Sequence, residues 1–223
     1  MNNTATLIGA SGLIGNNLLS LLLNDNNFTT VNILVRKTLP VQHQKLQQII
    51  INFSNPQEME NAIANAKVVF CAIGTTMSKV KGDKELYKKI DYDIPVNAAT
   101  IAAKFGVQIF VLVSAIGANA KSSNFYLKLK GMVEEKISAE AIPSIYIMQP
   151  SLLLGERAEK RLGERIAQAV FPALSTLMFG KFAKYKAINA EDVAKAMLMG
   201  AKENSNGIHI LTYTAMMKLA TGF

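Results

Sequence analysis

Thr4-Ala5-Thr6-Leu7-Ile8 is a short run suited to a strand. It leads directly into Gly9-Ala10-Ser11-Gly12-Leu13-Ile14-Gly15 and then into an apolar helical pattern that lasts to about residue 23. A strand that turns through glycines into a helix constrains a fold tightly. The first glycine permits a sharp turn, the second lets a ligand approach backbone without meeting a Cβ, and the third lets the helix pack close to the strand. The helix then aims its N-terminal N–H groups and the positive end of its dipole at the turn, which suits a pyrophosphate. Gly9, Ser11, Gly12, Leu13, Ile14 and Gly15 are therefore the expected phosphate cradle. The spacing is G-x-x-G-x-x-G, not G-x-G-x-x-G, and a glycine turn that binds nothing stands as the alternative on these residues alone.

The rest of the chain supplies the context. Strands are expected at residues 31–35, 49–53, 68–73, 107–113, 144–148 and 207–211. Helices are expected at 56–65, 83–104 (broken or bent near Pro95), 124–139, 157–179 and 190–202. The run 107–113 is nearly all apolar, as in a parallel strand covered on both faces. Alternation of this kind builds an α/β doubly wound parallel sheet, the Rossmann arrangement, here as a single domain over residues 1–223. The alternation lapses over 150–187, where a small C-terminal substrate-binding segment is expected.

Composition narrows the function. The chain has 223 residues, half of them apolar, and no apolar stretch near the ~20 residues of a membrane span. No span is expected, and the strand-first start argues for a cytoplasmic protein. One cysteine, Cys71, excludes an intrachain disulfide and reads as a buried small hydrophobe. His43 and His209 lie far apart in sequence, so no metal site is expected. The net charge of +8 comes from scattered Lys and Arg without interleaved aromatics. That pattern favours a solvated surface and an anionic small ligand over nucleic acid.

Arg36 follows the second strand, 21 positions after Gly15, where a site selective for NAD places an acid on the ribose 2′-hydroxyl. Arg36 and Lys37 suit the 2′-phosphate of NADP instead, NAD being less favoured. The plainer alternative is a surface pair after a strand. Tyr126 and Lys130 stand four apart early in a helix, hence on one face. An ammonium beside a phenol stabilises the phenolate and lowers its pKa from about 10 toward the working range. Ser114 ends the preceding strand, where a hydroxyl could bond a substrate oxygen as its charge changes. Asp91, Asp93 and Asn97 lie near the bend of the long helix and read as solvated or capping residues.

On these residues the chain resembles the short-chain dehydrogenase/reductase superfamily, in its atypical NAD(P)-binding, epimerase-like branch. The glycine turn matches that family's motif, Ser114, Tyr126 and Lys130 match its triad, and Cys71-Ala72-Ile73-Gly74-Thr75-Thr76 resembles its strand-four segment. Lys121-Ser122-Ser123-Asn124-Phe125-Tyr126 with Lys130-Gly131 is similar to the small Tat-interacting-protein-like oxidoreductases. The resemblance implies Tyr126 as acid-base, Lys130 on the nicotinamide ribose, Ser114 on the substrate carbonyl, and Gly74, Thr75 and Thr76 beside the cofactor. Asn52-Phe53 stands where an acid is common near the adenine. Gln149-Pro150-Ser151 stands where Arg-Pro is common, so Pro150 flanks the nicotinamide side. Ser122 or Ser123 could share the polar role of Ser114.

The function expected is NADP-dependent hydride transfer to or from a small carbonyl or alcohol substrate. The rivals are a non-catalytic NADP(H)-sensing regulatory protein and a nucleotide-sugar epimerase-like enzyme. The helices flanking Tyr126 could form a homodimer face.

Overall fold

Burial on both faces dictates the centre of the sheet. Every residue of β1 (Thr4–Ile8), β4 (Val68–Cys71) and β6 (Ser144–Met148) is buried. Such strands must carry helices on both sides. The computed structural model describes residues 3–154, 186–203 and 205–222. Within them the remaining strands of the main sheet are β2 (Thr30–Val35), β3 (Leu46–Ile50), β5 (Ile109–Val113) and, near the end of the chain, a last parallel strand at Gly207–Leu211. The helices are α1 (Leu13–Asn24), α2 (Pro56–Ile63), α3 (Lys84–Lys88), a π-helical turn (Lys89–Asp93), α4 (Ile94–Lys104) and α5 (Phe125–Ser138). A two-residue pair, β7 (Leu153–Leu154) with β8 (Ile188–Asn189), precedes α6 (Ala190–Glu203), the last strand, now β9, and α7 (Tyr213–Thr221).

The sheet runs β3-β2-β1-β4-β5-β6-β9 with all neighbours parallel. Strand order reverses between β1 and β4. Connections leave these two strands on opposite sides, which opens a crevice at their carboxyl ends. One face buries Leu7, Ile33, Phe70 and Val111 under Leu18 and Leu22 of α1 and Val193 and Met197 of α6. The other buries Ile8, Val69, Phe110 and Ile145 under Met59, Ala98, Ala102, Val133 and Ile137 of α2, α4 and α5. The doubly wound parallel sheet is thus as expected, and Cys71 is buried within it, its thiol pushed up to about 11 by burial.

Two local expectations need correction, and the last residues add an element for which the sequence pattern set no expectation. The third strand is residues 46–50, not 49–53. Gln48 reaches across to the backbone of Leu39 and Val41 at 2.8–3.0 Å and ties the 37–45 connection to this register. As an edge strand it is only half buried, so the Ile49-Ile50-Ile51 run misplaces it. The helix expected at 83–104 is broken near Pro95 as expected, into three segments whose irregular turn lies just before the proline. A π turn carries an extra residue in the helical ladder, and here it ends just before the proline ring. The segment beyond Tyr213 is a helix, α7, that buries Met216 and Ala220. Strands four and five are also shorter than expected. The helix expected at 157–179 lies outside the described residues.

Candidate active site

The turn after β1 is built by close approach. Gly9 has φ +95°, and a Cβ there would lie 2.6 Å from the carbonyl carbon of Ala72 after β4. A Cβ on Gly15 would lie 2.1 Å from the carbonyl oxygen of Gly9. Only hydrogen at these two positions lets α1 start so near the sheet. Gly12 is the N-cap of α1, with no side chain capping it and no acid in the first turn. That end of the helix is consequently suited to an external anion. Gly12, Leu13 and Ile14 line the crevice, Gly9 and Gly15 shape it from below, and Ser11 is exposed at its rim.

The crevice encloses about 320 Å³ and brings the separated candidates together. Gly74 and Thr75 enter from the end of β4, Ser114 from the end of β5, Tyr126 and Lys130 from α5, and Pro150 from the end of β6. Asn124 caps α5 by accepting the Leu127 N–H at 3.1 Å, which sets Tyr126 in the first turn. A Cβ on Gly131 would lie 2.1 Å from the Ala120 nitrogen, so the loop carrying residues 119–120 packs directly on the helix beside Lys130. Thr76 turns away to accept the Lys79 N–H at 3.3 Å, and Ser122 accepts from the Asn124 N–H at 3.2 Å.

Two carboxylates complete the site, and local pattern pointed to neither. Asp91, in the π turn, is 1 % exposed; it pairs with Lys130 Nζ at 3.0 Å and accepts the Thr75 N–H at 2.7 Å. It is a buried partner, not the solvated or capping residue expected. Glu134 accepts the Ser114 hydroxyl and two contacts from Gln149 Nε2 at 3.0 Å. The available signals were an acid four residues before Pro95 and an acid four residues after Lys130 on the same face.

These pairings set the electrostatics. Burial opposes the Lys130 ammonium, but Asp91, with help from Tyr126, outweighs it and holds Lys130 above its ordinary value. Tyr126 is 40 % exposed, yet burial around its hydroxyl pushes the phenol up. Lys130 pulls it down, and Asp91 pushes it up again, leaving it above the usual value. The expected lowering by Lys130 is therefore offset here, first by burial of the phenol and then by the charge of Asp91.

The remaining candidates lie away from the crevice. The pairing of Ile8 with Leu34 sets Arg36 just beyond the strand end, level with the glycine turn. Arg36 and Lys37 are exposed and enter no ion pair among the described residues. Asn52 and Phe53 sit in a turn past β3, where Asn52 Oδ1 accepts the Ser54 N–H at 3.0 Å and Phe53 packs on the core. Among the described residues no group of His, Cys, Asp and Glu is placed to hold a metal, and no helix is long and apolar enough to cross a membrane.

Comparison with known proteins gives the family and the fold. The NAD(P)H-binding family matches residues 9–160. Protein FMP52, mitochondrial, of Debaryomyces hansenii is 36% identical over 206 residues, covering 90% of this chain and 88% of its own. Protein HTATIP2 of Rattus norvegicus is 30% identical over 222 residues, covering 98% of this chain and 89% of its own. Among solved structures, MoeE5 in complex with UDP-glucose and NAD superposes with a TM-score of 0.70 at 15% identity, over 95% of this chain and 76% of that one. The oxidoreductase ylbE from Lactococcus lactis does so at 0.69 and 17% identity, over 99% and 96%. At these identities the structural likeness speaks for the fold. The FMP52 relatives are named mitochondrial, which overturns the expectation of a cytoplasmic protein. A cellular address is read by receptors, not by the fold, so a strand-first start carries no weight on it.

Proposed function

The chain belongs to the NAD(P)H-binding family, and from that premise we propose that it is an NADP-dependent oxidoreductase of the short-chain dehydrogenase type. It moves a hydride between the nicotinamide and a carbonyl or alcohol carbon. The observation that carries this reading is one crevice joining the glycine turn to Ser114, Tyr126 and the buried Lys130. The residues present fit the cofactor: Gly9 and Gly15 allow the close backbone approach that shapes the turn, α1 begins at Gly12 without a capping side chain, and two exposed cations follow β2.

When bound, NADP(H) supplies or accepts the hydride. The protein supplies proton and position. In reduction the carbonyl carbon gains the hydride while its oxygen takes the Tyr126 proton, giving an alcohol and a phenolate that is reprotonated from solvent. Lys130 holds the ribose and, by its charge, stabilises that phenolate. Asp91 fixes the ammonium and, through the Thr75 N–H, the backbone of the adjoining loop. Ser114 bonds the reacting oxygen. Arg36, with Lys37, takes the 2′-phosphate, and Asn52 and Phe53 flank the adenine. Gly74, Thr75, Thr76 and Pro150 border the cofactor.

A second reading, NADP(H) sensing without turnover, draws support from the phenol of Tyr126, which lies above its usual value. One experiment separates the two. The chain has no Trp, so binding is followed through the cofactor's own fluorescence, first with NADPH and NADH and then with a panel of aldehydes, ketones and quinones. Substrate-dependent NADPH oxidation that falls about 10²–10⁴-fold in Tyr126→Phe, with cofactor affinity kept, supports the reductase. Tight binding with no turnover across the panel supports the sensor, and no binding of either cofactor refutes both.

A further inference from the structure

Ser114 has a hydrogen-bond partner that lies outside the crevice. The hydroxyl lines the site, yet it donates to Oε1 of Glu134, which lies on α5 one turn beyond Lys130 and does not itself line the crevice. Ser114 is 4 % exposed and Glu134 8 %. Gln149, after β6, donates from Nε2 to both Glu134 oxygens at 3.0 Å. The carboxyl is thus held from two strand ends, and its contact with the reaction runs through one serine.

A serine hydroxyl has one proton and two lone pairs. While Glu134 is ionised it can only accept, so it claims the serine's proton. Ser114 then offers lone pairs to the crevice, which suit the O–H of an alcohol and not the oxygen of a carbonyl. When Glu134 takes a proton from solvent, its own O–H can donate to Ser114 Oγ. The serine's proton is released toward the crevice, where a carbonyl oxygen needs a donor.

We propose that Glu134 is a positioning residue whose proton decides whether Ser114 accepts from an alcohol or donates to a carbonyl. The acid form favours reduction and the ionised form favours oxidation. This rests on the hydride-transfer reading above. Among the described residues, Lys130 on α5 is the charged group acting on Glu134; the end of β5 and the segment after β6 present Ser114 and Gln149, both neutral. Burial pushes the Glu134 carboxyl up, against Ser114, Gln149 and Lys130, and leaves it above the ordinary glutamate value. That direction brings its proton nearer the range in which enzymes work.

The test has two readouts on the full chain. The first is the carbonyl stretch of a protonated carboxyl, followed by infrared difference spectroscopy from about pH 5 to 8 in the absence of cofactor. We expect a titrating band that is missing in Glu134→Gln and whose midpoint rises in Ser114→Ala, because the ionised form has lost a hydrogen bond. No such band, or a midpoint unmoved by Ser114→Ala, overturns the proposal whatever the activity. The second is the pH dependence of kcat for reduction of 9,10-phenanthrenequinone by NADPH. In Glu134→Gln the Gln149 donor faces the new carbonyl, leaving the amide NH2 to face Ser114 as the acid form would. The fall in kcat with rising pH that the proposal requires of the natural protein should disappear. The variant should exceed the natural protein about tenfold at the alkaline end, the worth of one hydrogen bond of about 1.4 kcal/mol. Parallel pH profiles for the two proteins overturn the proposal. Failure of the hydride-transfer reading looks different: the natural protein oxidises no NADPH with any carbonyl while the infrared titration is intact.

Discussion

Replacing Asp91 with Asn removes one charge from a pair that is almost wholly enclosed. The side chains of Lys130 and Asp91 are 7% and 1% exposed, with Nζ and Oδ1 at 3.0 Å. The amide is the same size and can still accept the Thr75 N–H that Asp91 Oδ2 now accepts at 2.7 Å. What is lost is the counter-charge. Removing one member of a buried pair leaves an uncompensated charge and costs about 3–5 kcal/mol. At about 2–4 °C per kcal/mol for a domain of this size, Tm should fall by roughly 6–20 °C. The pH dependence carries the sharper sign. In the natural protein Lys130 is held above its ordinary value. Its contribution is therefore fully present below the unfolded lysine value of about 10.4 and fades only as pH rises through the raised folded value. In Asp91→Asn burial dominates, the folded lysine binds its proton less tightly than the unfolded one, and stability rises with pH between that lowered folded value and the unfolded one. Urea unfolding followed by circular dichroism at about pH 6, 7.5 and 9 should show the gap between the two proteins narrowing as pH rises. A gap below about 1 kcal/mol, or one constant with pH, would refute the buried-pair reasoning.

Other perturbations test separate parts of the site. Arg36→Asp should weaken NADPH binding about 10–100-fold more than NADH binding, from the 1.5–3 kcal/mol of a charge-assisted contact; equal losses in fluorescence titration contradict its 2′-phosphate role. Gly15→Ala puts a Cβ 2.1 Å from the Gly9 oxygen, so it should cost at least about 1–3 kcal/mol and lower cofactor affinity, and a variant matching the natural protein in both would show that the turn can shift freely. Burial opposes the Asp25 carboxylate, but Lys202 at 2.5 Å and the Asn27 donors outweigh it and hold it below its usual value. Its stabilisation is present above the unfolded aspartate value of about 3.9 and lost as pH falls through the lower folded value. Asp25→Asn should therefore cost about 1–3 kcal/mol at neutral pH and reduce the acid dependence of unfolding, and an unchanged acid limb would exclude that role.

Some of this was legible without any coordinates, for a physical reason. Strand, glycine turn and helix are written in consecutive residues 4–23, and the apolar period of each later segment is local too. Parallel strands joined by helices can close into very few arrangements, so alternation led to the doubly wound sheet. Ser114 at a strand end and Tyr126 four residues before Lys130 are equally local. What needed the tertiary structure is whatever depends on the chain meeting itself. The edge strand β3 lies three residues earlier in the chain than its apolar run, and packing on α6 made a helix of residues 213–221. Asp91 and Glu134 look in sequence like ordinary acids on amphipathic helices. Burial and contact with Lys130, Thr75, Ser114 and Gln149 make them parts of the site. Periodicity along the chain determined most of the elements and their order, though not the ends of β3, β4 and β5. Only the tertiary structure decided which charges meet out of water, because desolvation and pairing act across space between residues that sequence does not bring together.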